Sequence, residues 1–570
     1  MKQKTRRMLA ALLFLALTLS LSACAPKSQP ENAAPEQTAE QTPDAGAEYA
    51  GKTVILHSND VHGEIMGYAY IAALKADFQD KGADVILADA GDFSQGDPTV
   101  SMTKGADAVA MMNAAGYDVA TLGNHEFDYG YEQLVENLKA AEFHVICADI
   151  FQDDSPVWDP TWMYEKDGLK IGFFGMDTPE TQTKANPSMT LGLRFLSRED
   201  IYSCAQEQID ALRDDGADIV IALTHLGVDA ESGADGHRSV DMYHNTTGID
   251  LVIDGHSHTV MTEGDDGEPV QSTGTKFENI GVVVIDNESK AIETHYLLPT
   301  KVTENDETVS ELPMDAAVAA KAQEIMDRVD AEYGEIFAQS EILLNGERNP
   351  GNRTEETNLG DLITDAMVWK VLQEDGAVSV DNAHIVGITN GGGIRASIQP
   401  GDVTRKDLNT VLPFGNTVAV VYVTGEKLLE ALEASTYCTP EEIGGYPQTF
   451  GIEFTLDTTI PYAQGEAYQD STYYAPASIQ RVTIAAVNGE PFDPAETYAV
   501  VTNNFCAAGG DTYSAFKTAI AKFDTGIAMD EAVMEYVGDA LGGVISRETY
   551  ETPRGDQSII LAQEADEQAA

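Results

Sequence analysis

Basic residues are scarce. Lysine and arginine number 34 against 94 aspartates and glutamates, a net charge of −60 over 570 residues. A field of that sign repels DNA, RNA and anionic lipid, which speaks against a nucleic-acid partner. It also repels small phosphates unless local cations offset it. Cysteine is rare too. Beyond Cys24, only Cys147, Cys204, Cys438 and Cys506 occur, and none forms a C-x-x-C pair. That spacing excludes a zinc ribbon and argues against a disulfide framework. After residue 21 no apolar run approaches the ~18 residues of a membrane span. Hydrophobic residues at 43% and charged residues at 22% are ordinary for a folded chain, so global disorder is excluded. The length exceeds the ~250 residues that one core supports, and two large domains are expected.

The first residues carry Lys2, Lys4, Arg6 and Arg7, then an apolar run from Met8 to Leu21. This is the pattern of an export signal. Its ending, Leu21-Ser22-Ala23-Cys24, resembles the bacterial lipoprotein cleavage box. The resemblance implies a signal peptide over 1–23 and a lipid on the Cys24 thiol. The expected protein is an exported, cell-surface or periplasmic lipoprotein anchored to the membrane by that lipid. Residues 24–50 are rich in Pro, Ala, Glu, Gln and Thr without apolar periodicity, and read as a flexible tether.

From residue 51 to 308, continuous apolar runs such as TVILHS, ADVILADA and ADIVIALTH alternate with helical patterns. Strands apolar on both faces and separated by helices predict an α/β domain whose sheet is covered on both sides. Residues 309–335 predict a linking helix. A second, mixed α/β domain is expected over 336–560.

In the first domain, polar residues able to bind metal follow the strands. TVILHSN runs into Asp60 and His62, ADVILADAG into Asp92, and YDVATLG into Asn124-His125-Glu126-Phe127-Asp128. ADIVIALT runs into His225, and IDLVIDG into His256-Ser257-His258. Ligand sites of open α/β sheets lie beyond the carboxyl ends of their strands. One such residue is usually a turn residue, but five strand ends carrying them suggest a shared site. His57, His144, His237, His244, His295 and His384 lack this context and read as structural or surface histidines.

The order D-x-H, G-D, G-N-H-E-F-D, T-H-L-G, G-H-S-H resembles the dinuclear calcineurin-like metallophosphoesterases. Over roughly 52–545 the chain resembles the bacterial secreted 5′-nucleotidase/UDP-sugar hydrolase family. The resemblance implies an N-terminal metallophosphoesterase β-sandwich flanked by helices, and a C-terminal substrate-specificity domain. It implies two divalent metal ions. Asp60, His62 and His258 would hold the first, Asn124, His225 and His256 the second, and Asp92 would bridge them. Some members have an amide at the position of His258. Mixed His, Asp and Asn ligands suit Zn, Mn, Fe or Co alike. His125 and Asp128 are the implied catalytic pair.

The second domain holds Arg353, the run Asn390-Gly391-Gly392-Gly393-Ile394-Arg395, and the segments LPFGN and NNF followed by GGD. Two arginines beside such motifs stand out in so acidic a chain, and a guanidinium forks onto phosphate. By the same resemblance Arg353 and Arg395 bind phosphate and Asn390 contacts the nucleoside. Phe414 and Phe505 sandwich the base, and Asp511 accepts from the ribose hydroxyls. The implied activity is hydrolysis of nucleoside 5′-phosphates, with UDP-sugars and 2′,3′-cyclic nucleotides as further substrates. The competing readings are a thiosulfate-ester hydrolase on the same first domain and a non-catalytic nucleotide-binding surface lipoprotein. Phe414 and Phe505 speak against the first. The complete ligand set and His125 speak against the second. Nothing in the sequence indicates the oligomeric state.

Overall fold

The structure is a computed structural model that describes residues 48–561, except 188, 234–235, 305–306, 374–377 and 470. The expected signal peptide, Cys24 and most of the tether lie outside the described residues.

Among the described residues, the two main sheets of the first half are built from β1 (Lys52–Ser58), β2 (Asp84–Asp89), β3 (Val119–Ala120), β4 (His144–Val145), β5 (Thr161–Lys166), β6 (Leu169–Met176), β7 (Ile219–Thr224), β8 (Leu251–Ile253), β9 (Val260–Met261), β10 (Val270–Thr273), β11 (Asn279–Asp286) and β12 (Ala291–Pro299). They form two six-stranded sheets, ordered β12-β11-β1-β2-β3-β4 and β9-β10-β8-β7-β6-β5. β1 to β4 run parallel, as do β6, β7, β8 and β10.

Alternation along each strand explains the unbroken apolar runs. Ile55, Ile86, Phe173, Ile221 and Ile253 point between the sheets and form one core. Their neighbours Val54, Leu56 and Leu87 point outward into a second core shared with α1 (Gly67–Asp80) and α2 (Ala106–Ala115). On the opposite face, Phe174, Met176 and Val220 pack with α3 (Glu199–Asp214). The result is a β-sandwich covered by helices on both outer faces, as the family resemblance implied.

The expected linking helix is shorter than 309–335. Glu307–Glu311 is a strand that pairs with Lys301–Glu304, and the helix α4 occupies Ala316–Tyr333. Pro313 disfavours helix at the residue before it, and Asp315 then caps α4 by accepting from the N–H groups of Ala317 and Val318, both at 2.9 Å. Val318, Ala322 and Ile325 of α4 pack into the outer core of the first half.

The second half centres on a five-stranded sheet. Its strands are β13 (Ile385–Asn390), β14 (Thr417–Thr424), β15 (Pro447–Phe450), β16 (Thr497–Asn503) and β17 (Ala521–Ala528), in the order β15-β13-β16-β14-β17. Helix α5 (Asn358–Leu372) packs on one face, and α6 (Gly425–Ser435) on the other. Cys147, Cys204, Cys438 and Cys506 are all unpaired. No helix among the described residues is long and apolar enough to cross a membrane.

Candidate active site

The turns after β1, β2, β3, β7 and β8 converge at one rim of the sandwich and bring together all seven residues expected to hold metal. His62 Nε2 and His258 Nε2 lie 3.0 Å apart, and His258 Nε2 lies 3.4 Å from Asp60 Oδ1. His225 Nε2 is 3.1 Å from Asp92 Oδ2, and His62 Nε2 is 3.7 Å from the same oxygen. His256 Nδ1 faces Asn124 Oδ1 at 2.9 Å. Asp92 thus lies between the two groups of donors.

Backbone conformation is part of the construction. Asp60, His62, Asp92, His256 and His258 all have φ between 45° and 75°. Non-glycine residues seldom adopt this left-handed region, and such strain is held where surrounding structure imposes it. Here it lets short turns aim consecutive polar side chains inward.

The outer partners set the tautomers. His225 Nδ1 lies 2.6 Å from the Ala90 carbonyl oxygen, and His62 Nδ1 lies 3.2 Å from that of Gln95. A carbonyl only accepts, so each Nδ1 carries a proton and each Nε2 is turned into the cluster. His256 Nε2 pairs with Glu180 Oε2 at 2.8 Å, leaving Nδ1 toward Asn124. Metal-binding histidines are typically held this way. Burial pushes the His62 and His258 imidazoles well below their ordinary pKa, which keeps them neutral. Burial also lifts the Asp60 carboxyl to about 6, with His225 opposing the rise and Asp92 adding to it. His225 Nε2 is buried without a hydrogen-bond partner. Converging lone pairs and carboxylates are mutually repulsive unless cations lie among them, so the donor set fits divalent metal.

Gly123 shows how tightly the motif is built. A Cβ there would lie 2.4 Å from Asp92 Oδ1 and 2.7 Å from His225 Nε2. Gly123→Ala is expected to lower metal affinity by at least ~10-fold, the smallest effect usual for disturbing a ligand's support. Metal content after dialysis against a graded chelator would check this.

Glu126 ties the loops together. Its buried carboxylate accepts from the N–H groups of Asp92, Phe93, Ser94 and Gly123 at 2.7–3.0 Å and from the Ser94 hydroxyl at 2.6 Å. In the same motif, His125 Nδ1 lies 2.7 Å from Asp128 Oδ2, and the His125 N–H donates to Asp92 Oδ1 at 2.9 Å. Burial pushes the Asp128 carboxyl up, and its partner His125 pulls it back.

The second half faces this rim across a cavity that opens to solvent. Arg353, Asn390, Arg395, Phe414, Phe505 and Asp511 all line it, together with Asp92, Asn124, His125, Asp128, His256 and His258. Phe414 stacks on the His125 ring with centroids 5.4 Å apart and planes at 24°. Asn390 Nδ2 donates to Asp511 Oδ2 at 2.8 Å, and Asn503 Nδ2 holds Asn390 Oδ1 at 2.9 Å. Burial and repulsion from Arg348 lower Arg353 to about 9 and Arg395 to about 10. An anion in the cavity would relieve that repulsion. The glycine run allows a close backbone approach. A Cβ on Gly391 would lie 1.9 Å from the Asn352 carbonyl oxygen, so its close approach is to the chain beside Arg353.

Four residues of the site escaped the sequence reading. Arg348 and Lys184 add cations to the cavity, Glu231 also lines it, and Glu180 supports His256. The R-N-P-G-N-R spacing could have drawn attention to Arg348. His237, read as structural or surface, backs Glu180 with Nε2 at 3.3 Å from Oε1.

A helix-covered sandwich with a His/Asp/Asn cluster at its strand ends defines a metal-dependent phosphoesterase. Residues 53–260 match the calcineurin-like phosphoesterase family, and residues 337–518 match the 5′-nucleotidase C-terminal domain. The chain is 27% identical to a 5′-nucleotidase of Vibrio cholerae, over 93% of this chain and 95% of that protein. It is 28% identical to the trifunctional nucleotide phosphoesterase protein YfkN of Bacillus subtilis over 89% of its own length, but spans only 35% of that longer protein. The crystal structure of a 5′-nucleotidase precursor from Thermus thermophilus superposes with a TM-score of 0.73 at 26% identity, covering 90% of this chain and 100% of the other. The chain belongs to the 5′-nucleotidase family, with a calcineurin-like phosphoesterase domain followed by a 5′-nucleotidase C-terminal domain, and it is a phosphoric ester hydrolase of the 5′-nucleotidase type.

Proposed function

We propose that the protein hydrolyses nucleoside 5′-phosphates to nucleoside and inorganic phosphate at two divalent cations. Asp60, His62 and His258 would hold one, Asn124, His225 and His256 would hold the other, and Asp92 would be shared between them. When bound, such cations neutralise phosphoryl charge and acidify water at neutral pH. One observation carries the reading: the metal-type cluster and a pocket of two phenylalanines, Asn390 and Asp511 line the same cavity.

The protein's own groups divide the remaining work. Arg353 and Arg395 grip the phosphate and offset the chain's negative field. Phe414 and Phe505 hold the base, and Asp511 accepts from the ribose hydroxyls. These contacts orient the P–O5′ bond toward the cluster. A water oxygen forms the new bond to phosphorus while the bond to O5′ breaks. His125, its Nδ1 held by Asp128, donates a proton from Nε2 to O5′, and the attacking water gives up one proton in exchange, so His125 is reprotonated over the cycle. UDP-sugars and 2′,3′-cyclic nucleotides are further substrates under this reading. Thiosulfate esters, which carry no base, would leave Phe414 and Phe505 unused. The leader motif supports export and lipid anchoring at Cys24.

The test is phosphate release from AMP and from 4-nitrophenyl phosphate by wild type, Phe414→Ala and Phe505→Ala. Base stacking contributes roughly 1–3 kcal/mol, so each variant should lose about 5- to 150-fold in kcat/KM on AMP and much less on the aryl phosphate. Equal losses on both substrates would show that the rings only pack the pocket wall.

A further inference from the structure

The nucleoside end of the cavity is not built by the second half alone. Lys184 ends the short helix Thr181–Lys184, and Glu231 sits in the short helix Ala230–Gly233. Both belong to the sandwich that carries the metal-type residues, yet both reach into the second half. Lys184 Nζ lies 2.5 Å from Glu231 Oε1 and 3.5 Å from Asp511 Oδ1. The Tyr473 hydroxyl donates to Glu231 Oε1 at 2.7 Å, and the Gly444 N–H donates to Glu231 Oε2 at 3.2 Å. The Tyr437 hydroxyl donates to the Glu231 carbonyl at 3.1 Å. The Asp511 N–H donates to the Thr183 carbonyl at 2.7 Å.

We propose that Lys184 and Glu231 are positioning residues that complete the nucleoside pocket from the metal-bearing half, so that nucleoside recognition requires the two halves to be joined at this point. This inference rests on the nucleotide reading given above. Asp511 has two oxygens with different partners: Oδ2 takes the Asn390 amide, and Oδ1 faces Lys184. Its orientation therefore depends on one group from each half. Lys184 also stands 3.9 Å from Glu180 Oε2, the oxygen that supports His256. A single ammonium thus lies among three buried carboxylates, one serving the metal-type cluster, one serving the pocket and one joining the halves. Without it, Asp511 and Glu231 would lose the ammonium that lies between them. Glu231 in turn takes its donors from the second half through groups that carry no charge. Removing them weakens the junction and leaves the local charge balance intact.

The experiment compares AMP with 4-nitrophenyl phosphate in steady state, on the full chain loaded with Mn²⁺, with melting temperature and metal content measured for each variant. Lys184→Met should raise the KM for AMP at least ~10-fold more than the KM for the aryl phosphate, and Lys184→Arg should recover part of that difference. The doubly substituted Tyr437→Phe/Tyr473→Phe chain keeps every charge. It should raise the KM for AMP about 3- to 10-fold and leave kcat/KM for the aryl phosphate unchanged. Adenosine, as a product inhibitor, should lose affinity in the same order. Equal changes on both substrates in the lysine and tyrosine variants, in a chain that turns over AMP, would overturn this proposal alone. A wild-type chain that hydrolyses the aryl phosphate but not AMP would overturn the nucleotide reading, and this proposal with it.

Discussion

Asp92→Ala is expected to release bound metal and to abolish AMP hydrolysis. Asp92 Oδ2 is within 3.1 Å of His225 Nε2 and 3.7 Å of His62 Nε2, while its Oδ1 accepts the His125 N–H at 2.9 Å. One side chain therefore serves both groups of donors and orients the loop that bears His125. Loss of an outer partner of a metal ligand typically costs about 10- to 100-fold, and loss of a shared carboxylate should exceed that range. Chelator treatment of the wild type should produce the same loss, reversed by adding metal back. The measurements are metal content by elemental analysis and phosphate release from AMP. Substantial turnover in both the metal-free wild type and Asp92→Ala would rule out a metal-dependent reaction.

His125→Asn should separate substrates by their leaving group. A ribose 5′-alkoxide is a poor leaving group and needs a proton, whereas nitrophenolate departs as a stable anion. General acid catalysis contributes about 10²–10⁴-fold, and AMP turnover should fall by that amount while nitrophenyl phosphate turnover falls far less. Asp128→Asn should show the same pattern more mildly, because Asp128 acts only through the 2.7 Å contact with His125 Nδ1. Steady-state kcat/KM on both substrates, at confirmed metal content, decides the matter. Equal losses at full metal occupancy would mean that His125 stabilises phosphoryl charge and is not the acid. The Phe414 contact with the His125 ring adds a control: across a series of base-free aryl phosphates with different leaving groups, Phe414→Ala should leave the dependence on the leaving group unchanged.

That the strands are buried on both faces was legible in their unbroken apolar runs; that they form two stacked sheets came from the family resemblance. TVILHS sends Ile55 between the sheets and Val54 and Leu56 under the helices, so no polar residue interrupts the run. The cluster at the strand ends was legible for a related reason. Each expected donor lies within five residues of the end of its strand, and a parallel strand delivers its carboxyl end to one rim. Position in sequence therefore translates into position in space. The start of α4 was less legible, because helical composition continues back past Pro313 while Glu307–Glu311 pairs as a strand.

Residue type and local order alone determined an α/β domain with buried strands and a set of His, Asp and Asn residues at its strand ends, while the sandwich and the roles of the two arginines and two phenylalanines came from the family resemblance. Only the tertiary structure decided what surrounds them. The left-handed backbone at five of the seven expected donors depends on the turns being packed against one another. Glu126 is a glutamate like many others until its carboxylate is seen to collect four N–H groups and a hydroxyl. Lys184 and Glu231 carry no local signal at all. Their partners Asp511, Gly444 and Tyr473 stand more than 200 residues further along the chain. A pairing that distant is set by how the two halves pack, and no periodicity or spacing within either half encodes it.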